Sequence, residues 1–178
     1  MKFLLNGYES ERLIFRLLEE SDFDDWLGLF DEPESARFLG LDNLPTSRAQ
    51  CEKWFELVFG RYANDRGGMN VLINKKTKQL IGQCGLLIQE VDGIKELEIG
   101  YSILPKFWNQ GYATEAARKC KEEAFLKNYS ESLISIVHVE NIKSKKVAQK
   151  NGMKLDKNTI FKEMPVEIYR VYRSAGSI

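Results

Sequence analysis

The chain has 178 residues, 43% of them hydrophobic and 29% charged, which suits one folded domain over residues 1–178 with a full core and excludes a disordered chain. Lysine plus arginine and aspartate plus glutamate both number 26, for a formal net charge of zero, so binding to nucleic acid through bulk positive charge is excluded. Cys51, Cys84 and Cys120 are odd in number and form no C-x-x-C, and His138 is the single histidine; a disulfide framework and a metal site are not expected, and a reducing cytoplasm is the expected location.

In chain order, "MKFLLNGYESERL" offers only Phe3, Leu4 and Leu5 as an apolar run, too short for a secretory signal, and no stretch approaches the about 18 apolar residues of a membrane span. "ERLIFRLL" (11–18) alternates Leu13, Phe15 and Leu17 against Arg12, Ile14 and Arg16 and reads as a first strand. "SDFDDWLGLF" then places Ser21 and Asp24 as a capping box, with Phe23, Trp26, Leu27 and Phe30 at helical spacing; Pro33 is expected to end or interrupt that helix. Ser47 and Gln50 repeat the capping pattern before Cys51, Trp54, Phe55, Val58 and Tyr62, a second amphipathic helix. Aromatics at this spacing are expected to be core, and Trp26, Trp54 and Phe55 are assigned to it.

Three strands follow, "MNVLI", "QLIGQCGLLIQEV" and "KELEIGYSIL", and Asp92-Gly93 between the last two predicts a type I′ hairpin. A helix over 113–127, a strand over 133–139, a short helix within 142–151 closed by Gly152, and a last strand over 166–173 complete the chain. The order β-α-α-β-β-β-α-β-α-β is that of a mixed α/β (α+β) domain, without linker or repeat.

The stretch "ELEIGYSILPKFWNQGYATEAA" (96–117) carries the chemistry. Alternation puts Leu97, Ile99, Tyr101 and Ile103 on one face and Glu98, Gly100 and Ser102 on the other. Pro105 cannot donate a ladder hydrogen bond, so pairing stops near it and the strand end opens. With a helix beginning around Ala113, the amides of Gln110, Gly111, Tyr112, Ala113 and Thr114 lie at its positive end, and Gly111 lets an anion approach the backbone closely. This is the physical recipe for a phosphate seat, or for a plain tight turn. It is neither a P-loop nor a G-x-G-x-x-G fingerprint. The small face Ala113, Ala116, Ala117, Cys120 and Ala124 lets the helix lie close to a sheet.

The segments "SERLIFRLLEESDFDDW", "LIGQCGL", "LEIGYSILPKFWNQGYATEA" and "VENIKSKKVAQKNGM" together resemble the GCN5-related N-acetyltransferases, the GNAT family, in particular the branch that acetylates the N-termini of ribosomal proteins. The resemblance spans about residues 9–173. It implies the GNAT fold, a mostly antiparallel mixed sheet whose fourth and fifth strands splay, with flanking helices, and acetyl-CoA as co-substrate. It implies that the pantetheine arm lies in that splay beside Ile103 and Leu104, with the pyrophosphate on Gln110, Gly111, Tyr112, Ala113 and Thr114. Asn141 and Ser144 match an Asn-x-x-Ser that lies beside the arm and thioester in the family. The chain departs from the family at two places: Trp108 stands where Gln or Arg is usual, and Ala148 stands where a tyrosine often serves as general acid.

Direct attack by an amine in a ternary complex needs no Ser-His-Asp set. Glu98, facing away from the core alternation, is the candidate base, and Ser102 on the same face is a weaker candidate to bind or relay a proton. His138, Cys84 and Cys120 are expected to pack. The expected acceptor is a protein N-terminal α-amine, possible partners thus including a ribosomal protein N-terminus; the alternatives are a small amine (polyamine, amino acid or amino sugar) or a non-catalytic acyl-CoA-binding module. Neither nucleic acid nor membrane is an expected partner, and the expected state is monomer or homodimer.

Overall fold

A computed structural model describes residues 2–174. Seven strands, β1 (Leu13–Arg16), β2 (Gly67–Asn74), β3 (Leu80–Val91), β4 (Ile94–Ile103), β5 (Ser132–His138), β6 (Lys154–Phe161) and β7 (Met164–Tyr172), form one sheet among the described residues, in the order β1-β2-β3-β4-β5-β7-β6. Five α-helices flank it: α1 (Phe23–Leu27), α2 (Pro33–Phe38), α3 (Ser47–Ala63), α4 (Tyr112–Leu126) and α5 (Ile142–Lys150). The sheet is mixed and mostly antiparallel, with β4 and β5 its parallel pair. No helix among the described residues is long and apolar enough to cross a membrane.

The β2–β3–β4 meander follows from its turn. Asp92 and Gly93 have φ of 50° and 75°, the left-handed pair that matches the twist of a hairpin. That turn fixes the register from Val91↔Ile94 through Gly82↔Ile103, so every β4 residue has a defined face. Leu97, Ile99 and Ile103 join Ala116, Ala117 and Cys120 of α4 in one core. The opposite face of the sheet meets α1 and α3 through Trp26, Cys51, Phe55, Val58, Met69 and Leu87.

Four local readings of the sequence are corrected. Pro33 opens α2 instead of ending a helix, occupying its first turn where a missing N–H costs nothing. Thr46, not Ser47, caps α3, its Oγ1 accepting from Ala49 N at 3.1 Å, while Ser47 Oγ donates to Phe30 O. The cap before α1 is likewise displaced: Asp22 Oδ2 accepts from Glu19 N at 2.9 Å. Strand β6 had no counterpart in the sequence reading. It is the sheet edge, with Leu155 and Ile160 exposed, so no burial pattern marks it.

Candidate active site

Strands β4 and β5 are parallel and touch in register only at Glu98↔Ile134. Beyond that point they diverge, and side chains span the opening in place of a ladder. Ser135 Oγ donates to Ile99 O at 2.9 Å, and Tyr101 OH donates to Ser144 O, on the first turn of α5, at 2.9 Å. Leu104 N bonds Ile81 O, so alternation along an antiparallel pair turns the backbone groups of Ile99, Tyr101 and Ile103 toward the gap. The Leu104 backbone turns the other way: its N–H donates to Ile81 O and its C=O accepts from Phe107 N. Ile103 faces the gap as expected, and Tyr101, which the sequence reading passed over, faces it too.

At the wide end sits the start of α4. Gly111 is its N-cap with φ of 83°, a left-handed conformation that favours glycine, and the helix begins at Tyr112. Glu115 N closes the first helical bond to Gly111 O, which leaves the amides of Tyr112, Ala113 and Thr114 without intrahelical acceptors. The loop is braced from behind by the segment just before β1. Arg12 Nη1 donates to Gln110 O at 3.0 Å, its guanidinium lies 4.3 Å from the Tyr112 ring centroid, and its Nε donates to Glu115 Oε2 at 2.6 Å. Glu115 also accepts from Ser10 Oγ and Arg12 N, both at 2.7 Å. Burial pushes the Glu115 carboxyl up, yet these hydrogen bonds win and hold it below its ordinary range.

Trp108 has an assignable job. Its indole N–H donates to Ile103 O at 2.7 Å, and Lys143 Nζ stands 3.6 Å from the ring centroid. The indole thus links the open end of β4 to α5. Asn141 caps α5, its Oδ1 accepting from Ser144 N at 3.0 Å, which is why the two residues are spaced by three. The backbone of Ser144 is held at both N and O, and its hydroxyl has no hydrogen-bond partner among the described residues.

One continuous cavity of about 500 Å³ runs from this helix start along the gap to Glu98 and on toward α2, α3 and the β6–β7 turn. Glu98 is only 9% exposed. Gln89 Nε2 donates to its Oε2 at 2.6 Å, and Arg61 Nη2 donates to Gln89 Oε1 at 2.8 Å, which fixes the way the Gln89 amide points. Burial pushes the Glu98 carboxyl up from its ordinary value; the Gln89 bond and the positive charge of Arg61 act the other way. The result is a buried carboxyl on the cavity wall, held by an oriented amide.

Glu98 and Ser102 share a face and both line the cavity, but four residues of strand separate them by about 13 Å. Ser102 lies with the gap and the α4 start, so the pair does not form one relay. Two residues expected to pack do so and also line the cavity. His138 faces Phe38 of α2, ring centroids 5.2 Å apart, and Trp54 donates its indole N–H to Gln83 Oε1 at 3.1 Å. Gln89 was legible in principle: the Asp-Gly turn fixes the β3–β4 register, which makes Gln89 a diagonal neighbour of Glu98. Nothing in the sequence pointed to Arg61 or to Lys162, which reach the cavity from α3 and from the β6–β7 turn.

The family described as "Acetyltransferase (GNAT) domain" matches residues 12–154. Among curated proteins, the uncharacterized protein YkkB of Bacillus subtilis is 29% identical over 165 residues, 90% of this chain and 92% of that protein. The uncharacterized N-acetyltransferase YoaA of the same organism is 29% identical over 146 residues, 81% of this chain and 80% of that protein. Among solved structures, an acetyltransferase from Agrobacterium tumefaciens superposes with a TM-score of 0.78 at 24% identity, covering 97% and 98% of the two chains. RimL, a ribosomal L7/L12 α-N-protein acetyltransferase in complex with coenzyme A, gives 0.73 at 16% identity over 93% and 97%. A Vibrio cholerae spermidine N-acetyltransferase in complex with CoA and spermine gives 0.70 at 17% identity over 90% and 95%.

Proposed function

We propose that this chain, which belongs to the GNAT acetyltransferase family and is an N-acetyltransferase, moves the acetyl group of acetyl-CoA to a primary α-amine at a protein or peptide N-terminus. The observation that carries the reading is the continuity of one cavity from an amide-lined helix start, through a strand gap, to a buried carboxylate.

The donor fits that cavity. Pyrophosphate is received by the Tyr112, Ala113 and Thr114 amides, with Gly111 allowing close approach and Gln110 beside it. The pantetheine amides pair with the backbone groups that Tyr101 and Ile103 turn into the gap. Asn141 and Ser144 flank the arm from the α5 side. An amine entering from the α2–α3 side meets the thioester carbonyl where the gap ends.

In the reaction Glu98 removes the proton from the attacking amine, directly or through one water, as the N–C bond forms and the C–S bond breaks. The Tyr101 N–H, the gap-facing donor nearer Glu98, receives the developing oxyanion, while Ile103 stays with the pantetheine arm. The departing thiolate, which is stable as an anion near neutral pH, takes a proton from water, Ala148 offering none. An N-terminal amine titrates near 8 and a lysine amine near 10.4, so a single carboxylate base suffices for the former at neutral pH. The family neighbour RimL, an α-N-protein acetyltransferase, supports this acceptor class. The small-amine reading finds its support in the spermidine N-acetyltransferase neighbour.

Thiol release from acetyl-CoA, followed with N-terminal peptides, lysine-blocked peptides and spermidine, tests the proposal. Free-N-terminus peptides are expected to accelerate release. Acceleration by spermidine alone would assign the small-amine reading, and tight CoA binding with no acceleration by any amine would leave only a binding module.

A further inference from the structure

We propose that the acceptor carries an acid group within a few bonds of its reacting amine, and that Lys162, with Arg61 beside it, is the residue that selects for that group. The proposal rests on the N-acetyltransferase reading and on Glu98 marking the acceptor end of the cavity.

Lys162 is held over the cavity by its turn. Lys162 and Glu163 have φ of 48° and 66°, a two-residue turn of the type that closes a tight hairpin. On either side, Phe161 and Met164 pack against a small core of Val91, Ile134, Val166 and Ile168. The tip is thus anchored at both ends, and Lys162 is among the residues that line the cavity. Unlike Lys145 and Lys157, each 2.7 Å from a carboxylate, Lys162 makes no hydrogen bond or ion pair among the described residues.

Arg61 reaches the same end from α3. Its donors go to Arg66 O, Ile88 O and Gln89 Oε1, all neutral, so no carboxylate in contact cancels its charge. Burial weakens the hold of both cations on their protons; the charge of Glu98 strengthens it and that of Arg66 opposes it, and Lys162 also feels the charge of Arg61. Glu34 of α2 and Glu98 face them across the cavity. The acceptor end is therefore dipolar: two carboxylates against two cations, one of which, Lys162, stands over the Phe161 ring at 5.4 Å from its centroid and is bound to no carboxylate among the described residues.

A dipolar site matches a dipolar acceptor. The ammonium enters toward Glu98, and an acid group on the same molecule reaches Lys162. A polyamine would set a second cation against Lys162, which opposes binding. The phosphates of the donor cannot serve as that anion, because their seat at α4 lies beyond Ser102, itself about 13 Å of strand from Glu98. Two sources supply the same chemistry: the α-carboxylate of a free amino acid, or an acidic side chain at the first or second residue of a peptide.

The test compares matched acceptors that differ only in the acid: glutamate-headed against glutamine-headed peptides, and a free amino acid against its carboxamide, with spermidine as the cationic extreme. For the native protein, kcat/KM for the acid member is expected to exceed its neutral match by about tenfold in at least one pair, and the pair that shows it identifies the source. Lys162→Glu, at an exposed turn, is expected to reduce that ratio to one or below and to improve spermidine. Lys154→Glu makes the same charge change outside the cavity and is expected to leave the ratio intact. Equal kcat/KM within both pairs, or a ratio that Lys162→Glu and Lys154→Glu alter alike, overturns the proposal. Thermal shift of the CoA-loaded protein with the same pairs reads acid selectivity without turnover. Lys162-dependent selectivity there, with no amine acetylated, would sink the catalytic reading and keep the acid site. Turnover without selectivity would do the reverse.

Discussion

At the scale of single residues, Glu98 is placed where its chemistry works against stability. Burial raises its pKa, so the folded state holds the proton more tightly than the unfolded chain. The contribution of such a carboxyl is most favourable below its unfolded value of 4.5. It declines as pH rises through the window up to the folded value, and at neutral pH the ionised group costs stability. Glu98→Gln is accordingly expected to raise Tm at pH 7 while lowering kcat/KM about 10²-fold; unchanged kinetics would remove Glu98 as base. Gln89 acts through Glu98 by donating to the ionised carboxylate. Gln89→Leu is expected to move the acidic limb of the kcat/KM–pH profile to higher pH, whereas a merely structural role for Gln89 would lower Tm and leave the limb in place. The candidacy of Glu98 was legible from alternation on β4. Its burial was not, because a strand pattern says which face a side chain takes but not what covers that face.

At the scale of elements, the start of α4 is the feature that the sequence marked most clearly, and the fold adds what holds it. The sequence supplied the small helix face and Gly111, but the brace comes from Ser10 and Arg12, about a hundred residues earlier. Since Glu115 has a folded pKa below 4.5, its contribution to stability is present above that value and lost as pH falls through the folded one. Glu115→Gln weakens charge-assisted hydrogen bonds behind the loop. It is expected to raise the Kd for CoA about tenfold, by calorimetry, with the pH limb of kcat/KM unmoved. Asn141→Ala removes the cap of α5 and is expected to cost about 1 kcal/mol, a fall in Tm of about 2–4 °C. The Asn-x-x-Ser spacing is thus accounted for by capping, whatever else the two side chains contact.

At the scale of the whole molecule, the cavity exists because two parallel strands meet in register at one pair and then part. The separation is held by Tyr101, Ser135 and Trp108, side chains that reach across in place of backbone pairing. Backbone groups at such a gap exchange with solvent until something pairs with them. Binding of CoA is therefore expected to protect the amides of Tyr101, Ile103, Tyr112, Ala113 and Thr114 from hydrogen exchange, with little change in the β2–β3 ladder. Protection confined to β6 and β7 would place the donor elsewhere. The α2 segment closes the far side through Phe38 on His138 and an Arg37–Glu140 ion pair of 2.7 Å.

What the sequence by itself determined is what depends on near neighbours along the chain: the Asp-Gly turn, the β4 alternation, the helix behind Gly111, and the spacing of Asn141 and Ser144. Helix and strand periods, turn conformations and caps are local physics, so they can be read from a few consecutive residues. Only the tertiary structure decided which residues Glu98 meets. Gln89, Arg61 and Lys162 arrive from three elements, the first as a hydrogen-bond donor and the other two as charges that act on the buried Glu98 carboxyl. The same holds for Trp108, an odd residue in the sequence, which the fold makes the tie between Ile103 and Lys143.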